Sequence, residues 1–376
     1  MPKKNELLSF DILLVILVFF VIGIGIVIIG SATRINVYST SSEYESQQLW
    51  FALGIILMLA AAFIDYHLMS KFYLVIYFFN LFLLIIVLFL GSGDEVSRWI
   101  FGIQPSEFSK IFMIIFLATY IDKNKEKINT FPVIAISALA TAIPTILIKL
   151  QPSLSASLVT IVIYAVILFV GNIDIKYVGI VLLIVGISVA IFYFDVMSED
   201  HFLLSKILDE YQIKRIVSSI NLDLTGTDPD YYQTRNSIWA IGSGQLTGKG
   251  LYNGMINQLS YLPESHNDFI FSVIGEEFGF VGCIGVIILM FLIIIRCVLI
   301  AIKACDNLGT LIVSGVVGMF AFQTFGNIGV ATGLLPNTGI PLPFISYGGS
   351  SMWINMIAIG LVLNVGMKKP KSIFKG

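Results

Sequence analysis

Residues 12–30, ILLVILVFFVIGIGIVIIG, carry no charged side chain over nineteen positions. Such a run offers water no polar face, but it matches a bilayer, where about 20 apolar helical residues cross roughly 30 Å of hydrocarbon. Backbone groups in hydrocarbon must pair among themselves, which leaves only helices and closed barrels. The run is too long for the core of a signal peptide and reads as a retained first span. Similar runs recur near 49–64, 72–91, 108–121, 131–148, 154–171, 177–194, 268–295, 308–333 and 344–366, giving ten candidate helices. Those at 49–64 and 108–121 are short and are expected to extend into their polar flanks. Only 12% of residues are charged and 57% are hydrophobic, against roughly 25% charged in a soluble domain. The expected fold class is all-α: a polytopic membrane protein with ten transmembrane helices, read as one domain over 1–376.

Where the lysines fall sets the expected orientation. An even helix count puts both termini on one side, and both are basic: Lys3 and Lys4 at the start, Lys368, Lys369, Lys371 and Lys375 at the end. The positive-inside rule makes that side cytoplasmic. Lys71, Lys123, Lys125, Lys127, Lys176, Arg296 and Lys303 then fall in cytoplasmic loops as well. The long polar segment 195–267, between helices 7 and 8, becomes an extracytoplasmic loop, and within it the spacing at 201–222 suits a helix lying in the membrane interface. The net charge of −2 gives no footing for nucleic acid. Cys283, Cys297 and Cys305 lack the spacing of a disulfide framework or a zinc site.

Nucleotide loops fail on inspection. In AIGSGQLTGKG (240–250), Ser243 and Gly250 stand where a phosphate-binding loop needs Gly and Ser or Thr, and Thr247 stands where the dinucleotide fingerprint needs its third Gly. Any substrate must arrive already activated.

The remaining polar candidates crowd the outer ends of the helices. Asp268, in LPESHNDFIF (262–271), is either a helix N-cap, a job Asn267 could share, or a functional acid. His266 is either a ligand or an interfacial polar residue. Glu107 and Lys110, spaced i, i+3, form either an ion pair that lets both enter the membrane or part of a site with Arg98. Lys149 is expected to snorkel. Glu276 and Glu277, eight and nine residues beyond Asp268 on one helix, would lie about 12 Å deeper and would need a polar cavity or a basic partner, since an unpaired charge there costs about 3 kcal/mol.

Four segments, RWIFGIQPSEFSK (98–110), IGSGQLTGKG (241–250), LPESHNDFIFSVIGEEFGF (262–280) and GLLPNTGIPLPFISYGGSS (333–351), resemble the signature segments of the SEDS family, the RodA, FtsW and SpoVE group, and the likeness runs over essentially the whole chain. It implies a peptidoglycan glycosyltransferase that polymerises lipid II on the outer face of the cytoplasmic membrane, partnered by a class B penicillin-binding protein transpeptidase and the elongation or division machinery. By the same resemblance Asp268 matches the family's essential aspartate. Arg98, Lys110, Glu276 and the segment with Ser346, Tyr347 and Ser350 match its other characteristic positions, and Glu107 and His266 join the substrate-binding set. Two departures stand out. Ser153 replaces an acid in QPSLSAS (151–157), and Arg235 stands where Gln is common.

The chemistry agrees with that role. A diphosphate leaving group needs no ATP, only a base for the incoming hydroxyl and cations for the departing charge, with Mg or Mn as a conceivable addition. The alternative is a lipid-linked precursor flippase, which needs polar groups along a path through the bilayer; Glu276 and Glu277 are its best support.

Overall fold

The computed structural model describes residues 10–33, 42–90, 99–100, 102–151, 153–177, 229–259, 261–263 and 265–368, with four isolated positions (179, 183, 186 and 195). Among them the fold is all-α, with one isolated bridge between Ile100 and Ile103. The helices are α1 (Ile12–Ala32), α2 (Ser42–Phe63), the short α3 (Tyr66–Lys71), α4 (Tyr73–Leu90), α5 (Pro105–Lys123), α6 (Phe131–Leu150), α7 (Leu154–Val170), α8 (Pro229–Ser243), the single turn α9 (Met255–Gln258), α10 (Ile270–Ile302), α11 (Asn307–Ala331) and α12 (Gly349–Met367). Six of them, α1, α2, α6, α10, α11 and α12, are long and apolar enough to cross a membrane, and α4 and α7 are shorter apolar helices.

The two short apolar runs do extend, to Ser42 and to Pro105–Lys123, because polar residues are tolerated where the helix leaves the hydrocarbon. The run expected at 344–366 begins only at Gly349, and FISYG forms a turn instead. The run at 177–194 and the interfacial segment 201–222 lie outside the described residues, apart from isolated positions. Hydrophobic spacing gave no sign of α8, which is amphipathic only weakly and packs on α10 and α11.

Burial sorts the helices into two layers. α5, α11 and α12 are inner helices, buried on most faces, whereas α1, α2, α4, α6 and α10 expose large apolar side chains such as Phe20, Phe82, Phe131 and Phe291. In water such a surface would aggregate; in a bilayer it is the lipid face. Small residues let the inner layer close. At Gly360 of α12 an added Cβ would lie 2.4 Å from the carbonyl oxygen of Met58 on α2, so these two helices touch backbone to backbone. Gly315 of α11 sits against Ile114 of α5 and Ile167 of α7.

At one end the elements are tied by ions. Asp11 caps α1 by accepting from the Leu14 amide at 2.9 Å and pairs with Arg296 of α10 at 2.8 Å. Asp65 pairs with Lys368 at 2.7 Å, and His67 bridges Asp65 and Asp306 at 2.9 and 2.6 Å.

Candidate functional site

α10 is two helices joined by a break at Gly279, whose φ of 64° and ψ of −159° are not helical. Glycine reaches that region without the Cβ clash that other residues meet. A break normally strands four groups, here the carbonyls of Glu276 and Glu277 and the amides of Phe280 and Val281, which an intact helix would pair with one another. The GSGQLTGKG loop takes all four. Lys249 and Gly250 amides donate to the carbonyls of Glu276 and Glu277 at 3.0 and 2.9 Å, and the Phe280 and Val281 amides donate to the carbonyls of Gln245 and Leu246 at 2.8 and 3.1 Å. The loop lies so close that a Cβ on Gly248 would sit 2.1 Å from the Glu277 carbonyl oxygen. Gly244 and Gly248 therefore serve backbone approach, which is the physical reason the loop mimics a phosphate loop without matching one.

Both acids beside the break turn into this loop. Glu276 is fully buried, and its carboxylate accepts from Lys249 Nζ at 2.7 Å and from the Ile256 and Asn257 amides at 3.0 and 3.3 Å. Glu277 accepts from the Ser31 hydroxyl of α1. A basic partner is thus present for Glu276, in Lys249. From Phe280 to Ile302 the second arm of α10 already spans about 34 Å, enough to cross the hydrocarbon by itself.

Asp268 lies in the turn 265–269, ahead of the first arm. The N-cap position belongs to Phe269, with no side-chain cap bond, so neither Asp268 nor Asn267 occupies it. Phe269 is buried with Leu262 and Val330 and anchors the turn. Three consecutive carbonyls are then pinned from outside the turn. That of His266 accepts from the Tyr347 amide at 2.9 Å, that of Asn267 from the Ser346 hydroxyl at 2.7 Å, and that of Asp268 from Asn327 Nδ2 of α11 at 2.8 Å. The Asp268 side chain is half-buried and faces Gly339, where an added Cβ would lie 3.4 Å from Oδ2.

The opposite wall of the turn, 339–350, is held just as tightly. Ser346 Oγ also accepts from the Leu342 amide at 2.8 Å, and the buried Gln47 of α2 accepts from the Gly348 amide at 3.2 Å. Phe344 adopts φ of 67°, a conformation costly for a bulky residue. Its ring is buried 5.2 Å from that of Phe320, which keeps the strained turn in place. Tyr347 stands between Trp50 and His266, with ring centroids 4.9 and 5.3 Å away. Ser350 is buried and accepts from the Gln104 amide at 3.0 Å, which joins this wall to the start of α5.

Beyond that joint lie Glu107 and Lys110, both buried, with Nζ to Oε1 at 2.6 Å. Glu107 Oε2 is buried with no hydrogen-bond partner among the described residues. Arg98 lies outside the described residues. Ser153 is buried at the N-cap of α7 without making a side-chain cap bond, the place where an acid would have capped the helix. Arg235 of α8 lies over the ring of Trp239 at 4.9 Å. The structure therefore gathers His266, Asp268, Ser346 and Tyr347 at one turn, joins Ser350 to it, and sets Glu276 apart at the break. Sequence spacing missed Asn327, Gln47 and Lys249; of these, only Lys249 lay in a segment already singled out.

Comparison with known proteins agrees over the full length. The family model for FtsW, RodA and SpoVE, described as "cell cycle protein", matches residues 11–371. A protein of Trichlorobacter lovleyi named probable peptidoglycan glycosyltransferase FtsW is 34% identical, covering 96% of this chain and 94% of its own. Stage V sporulation protein E of Bacillus subtilis is 35% identical, covering 94% and 96%. Among solved structures, one reported for the structural coordination of polymerization and crosslinking by a peptidoglycan synthase complex superposes with a TM-score of 0.78 at 27% identity, over 95% of this chain and 97% of its own. The rod shape determining protein RodA of Thermus thermophilus superposes with a TM-score of 0.69 at 27% identity, over 96% and 98%. This chain belongs to the FtsW, RodA and SpoVE family.

Proposed function

We propose that this protein is a peptidoglycan glycosyltransferase that polymerises lipid II, with Asp268 as general base. The observation that carries the reading is the placement of Asp268: three carbonyls in a row are fixed, and the half-buried carboxylate of the third residue lies beside a glycine. Fixed placement with access is what a base requires. Relatives named peptidoglycan glycosyltransferase FtsW and RodA support the reaction class.

In this reading the acceptor GlcNAc 4-hydroxyl lies against Asp268, which takes its proton as the oxygen attacks the anomeric carbon of the donor MurNAc. The undecaprenyl diphosphate leaves with the bonding pair, and the centre inverts. No acid is needed for a leaving group that departs as an anion. His266 and Tyr347 flank the acceptor. Arg98 is the cation assigned to the departing diphosphate by family resemblance. Glu107, Lys110, Glu276, Ser346 and Ser350 act as supports, because each is buried and already bonded within the protein. A divalent ion such as Mg would rest on substrate phosphates and one carboxylate, its common arrangement, since among the described residues no three His, Cys, Asp or Glu side chains form a ligand set.

The lysine distribution supports cytoplasmic termini, an extracytoplasmic 195–267 loop and a site on the outer face of the cytoplasmic membrane. The solved complex that couples polymerization to crosslinking supports a class B penicillin-binding protein as partner. The flippase reading loses its best support, because Glu276 and Glu277 are committed to the 249–257 loop and to Ser31.

The test is purified protein with labelled lipid II in detergent, where polymerisation needs no bilayer and flipping has none to cross. The expected result is glycan strands from the natural chain and none from Asp268→Asn. If the variant, matched for thermal stability, keeps more than about a tenth of the rate, the loss is too small for a general base and the assignment fails.

A further inference from the structure

We infer that Asn327 is a positioning residue for the Asp268 carboxylate, an inference that rests on Asp268 being the base. Asn327 is fully buried on α11, and its single amide nitrogen donates to two carbonyls from opposite walls of the site, Asp268 and Ile340, each at 2.8 Å. Ile340 follows Gly339, the residue against which Asp268 Oδ2 lies. One amide therefore sets the gap in which the carboxylate sits, from the residue that bears it to the residue that faces it.

The residue type is informative. Only Asn and Gln offer two N–H donors on one neutral nitrogen, and of these Asn is the shorter, with fewer rotamers to fix. Lys or Arg could donate twice as well, but would set a positive charge beside the base and hold it ionised too firmly to accept a proton readily. The choice also carries a cost, because Asn327 Oδ1 is buried with no hydrogen-bond partner among the described residues, and such a group opposes folding. The other two pinned carbonyls, of His266 and Asn267, are held by the 346–347 backbone and a serine. Of these three holds, Asn327 is the one on the residue that bears the carboxylate, and it comes from a different helix.

The experiment compares Asn327→Leu, close in shape but without donors, with the natural chain in the lipid II assay, and repeats the comparison in an Asp268→Asn background. The expected loss in kcat is on the order of 10- to 100-fold, the scale of a misplacement near 1 Å, with KM for lipid II within about twofold, since the diphosphate contacts lie elsewhere. In the Asp268→Asn background the same substitution should remove less than about threefold more, because a carboxylate already absent cannot be misplaced. Asn327→Thr, whose one hydroxyl donor serves one carbonyl, should fall between Leu and Asn.

A folded Asn327→Leu protein that keeps more than about half of its kcat overturns the inference. So does an equal loss in both backgrounds, which marks a general effect on the fold, and so does failure of both the Leu and Thr variants to yield folded protein. If Asp268→Asn is itself active, the base assignment falls and this inference with it. If Asp268→Asn is dead while Asn327→Leu is active, only the inference falls.

Discussion

Asp268 and Glu276 are acids eight residues apart on one stretch of chain, and the fold treats them oppositely. Glu276 is fully buried and saturated by Lys249 and two backbone amides, so it holds a loop to a broken helix. Asp268 has its carbonyl held by Asn327 and its side chain half-buried. The two acids thus differ in what is known to hold them: Glu276 is gripped at its carboxylate, while Asp268 is gripped at its carbonyl, which fixes where its carboxylate stands.

The contrast breaks if conservative changes at the two sites give the same phenotype. Asp268→Asn should leave the melting temperature within a few degrees of normal and lower strand synthesis by 10²–10⁴, the usual range for losing a general base. Glu276→Ala should do the reverse in kind. It removes the partner of Lys249 and strips two amides, costing roughly 3 kcal/mol, the low end for a broken buried pair because Lys249 reaches water. A thermal-shift measurement in detergent reads this directly, and a Glu276→Ala protein of normal stability would sink the strut reading.

Lys110 tests the same rule on a second buried pair. Lys110→Met leaves Glu107 buried without its cation and should cost about 3 kcal/mol or more, whereas the double change with Glu107→Gln should recover most of it. Stability that follows the pair while activity stays low in the double variant would make Lys110 more than a support.

A smaller effect is expected in the loop. Gly248→Ala places a methyl 2.1 Å from the Glu277 carbonyl oxygen, and overpacking of this kind costs about 1–3 kcal/mol. Since the loop can partly withdraw, the loss should lie below that of Glu276→Ala, as read from paired melting curves.

The smallest effect concerns pH. Partial burial raises the pKa of Asp65, but hydrogen bonds from Lys368 and from the backbone and ring of His67 outweigh it and hold the group at about 2 instead of 3.8. A carboxyl whose folded value is depressed stabilises the fold above its unfolded value, and that contribution disappears as pH falls through the folded one. The contribution should therefore be complete above pH 4 and disappear between about 4 and 2. Melting curves of the natural chain and Asp65→Asn should converge across that window, and parallel curves would remove Asp65 as a contributor. Because the pair is half-exposed, the effect is small.

Apolar run length and the absence of charge were enough to find the helices that cross the membrane, since a bilayer acts on each segment separately. The same logic failed wherever structure depends on a partner. α8 carries no strong apolar stripe and exists by packing on α10 and α11. The break at Gly279 is invisible in a run of apolar residues, because the loop that satisfies it lies thirty positions upstream.

The site divides the same way. Asp268, His266, Ser346, Tyr347 and Ser350 were legible as residues, through motif likeness and their place at the ends of apolar runs, but not as a geometry. Sequence alone determined a helical membrane chain, its family and the short stretch holding the acid, because composition and local order carry those. Only the tertiary structure decided which acid holds the loop and how the other is placed. That choice turns on hydrogen bonds between residues 249–250 and 276–277, and between Asn327 and both Asp268 and Ile340, and bonds between distant segments exist only once the helices have packed.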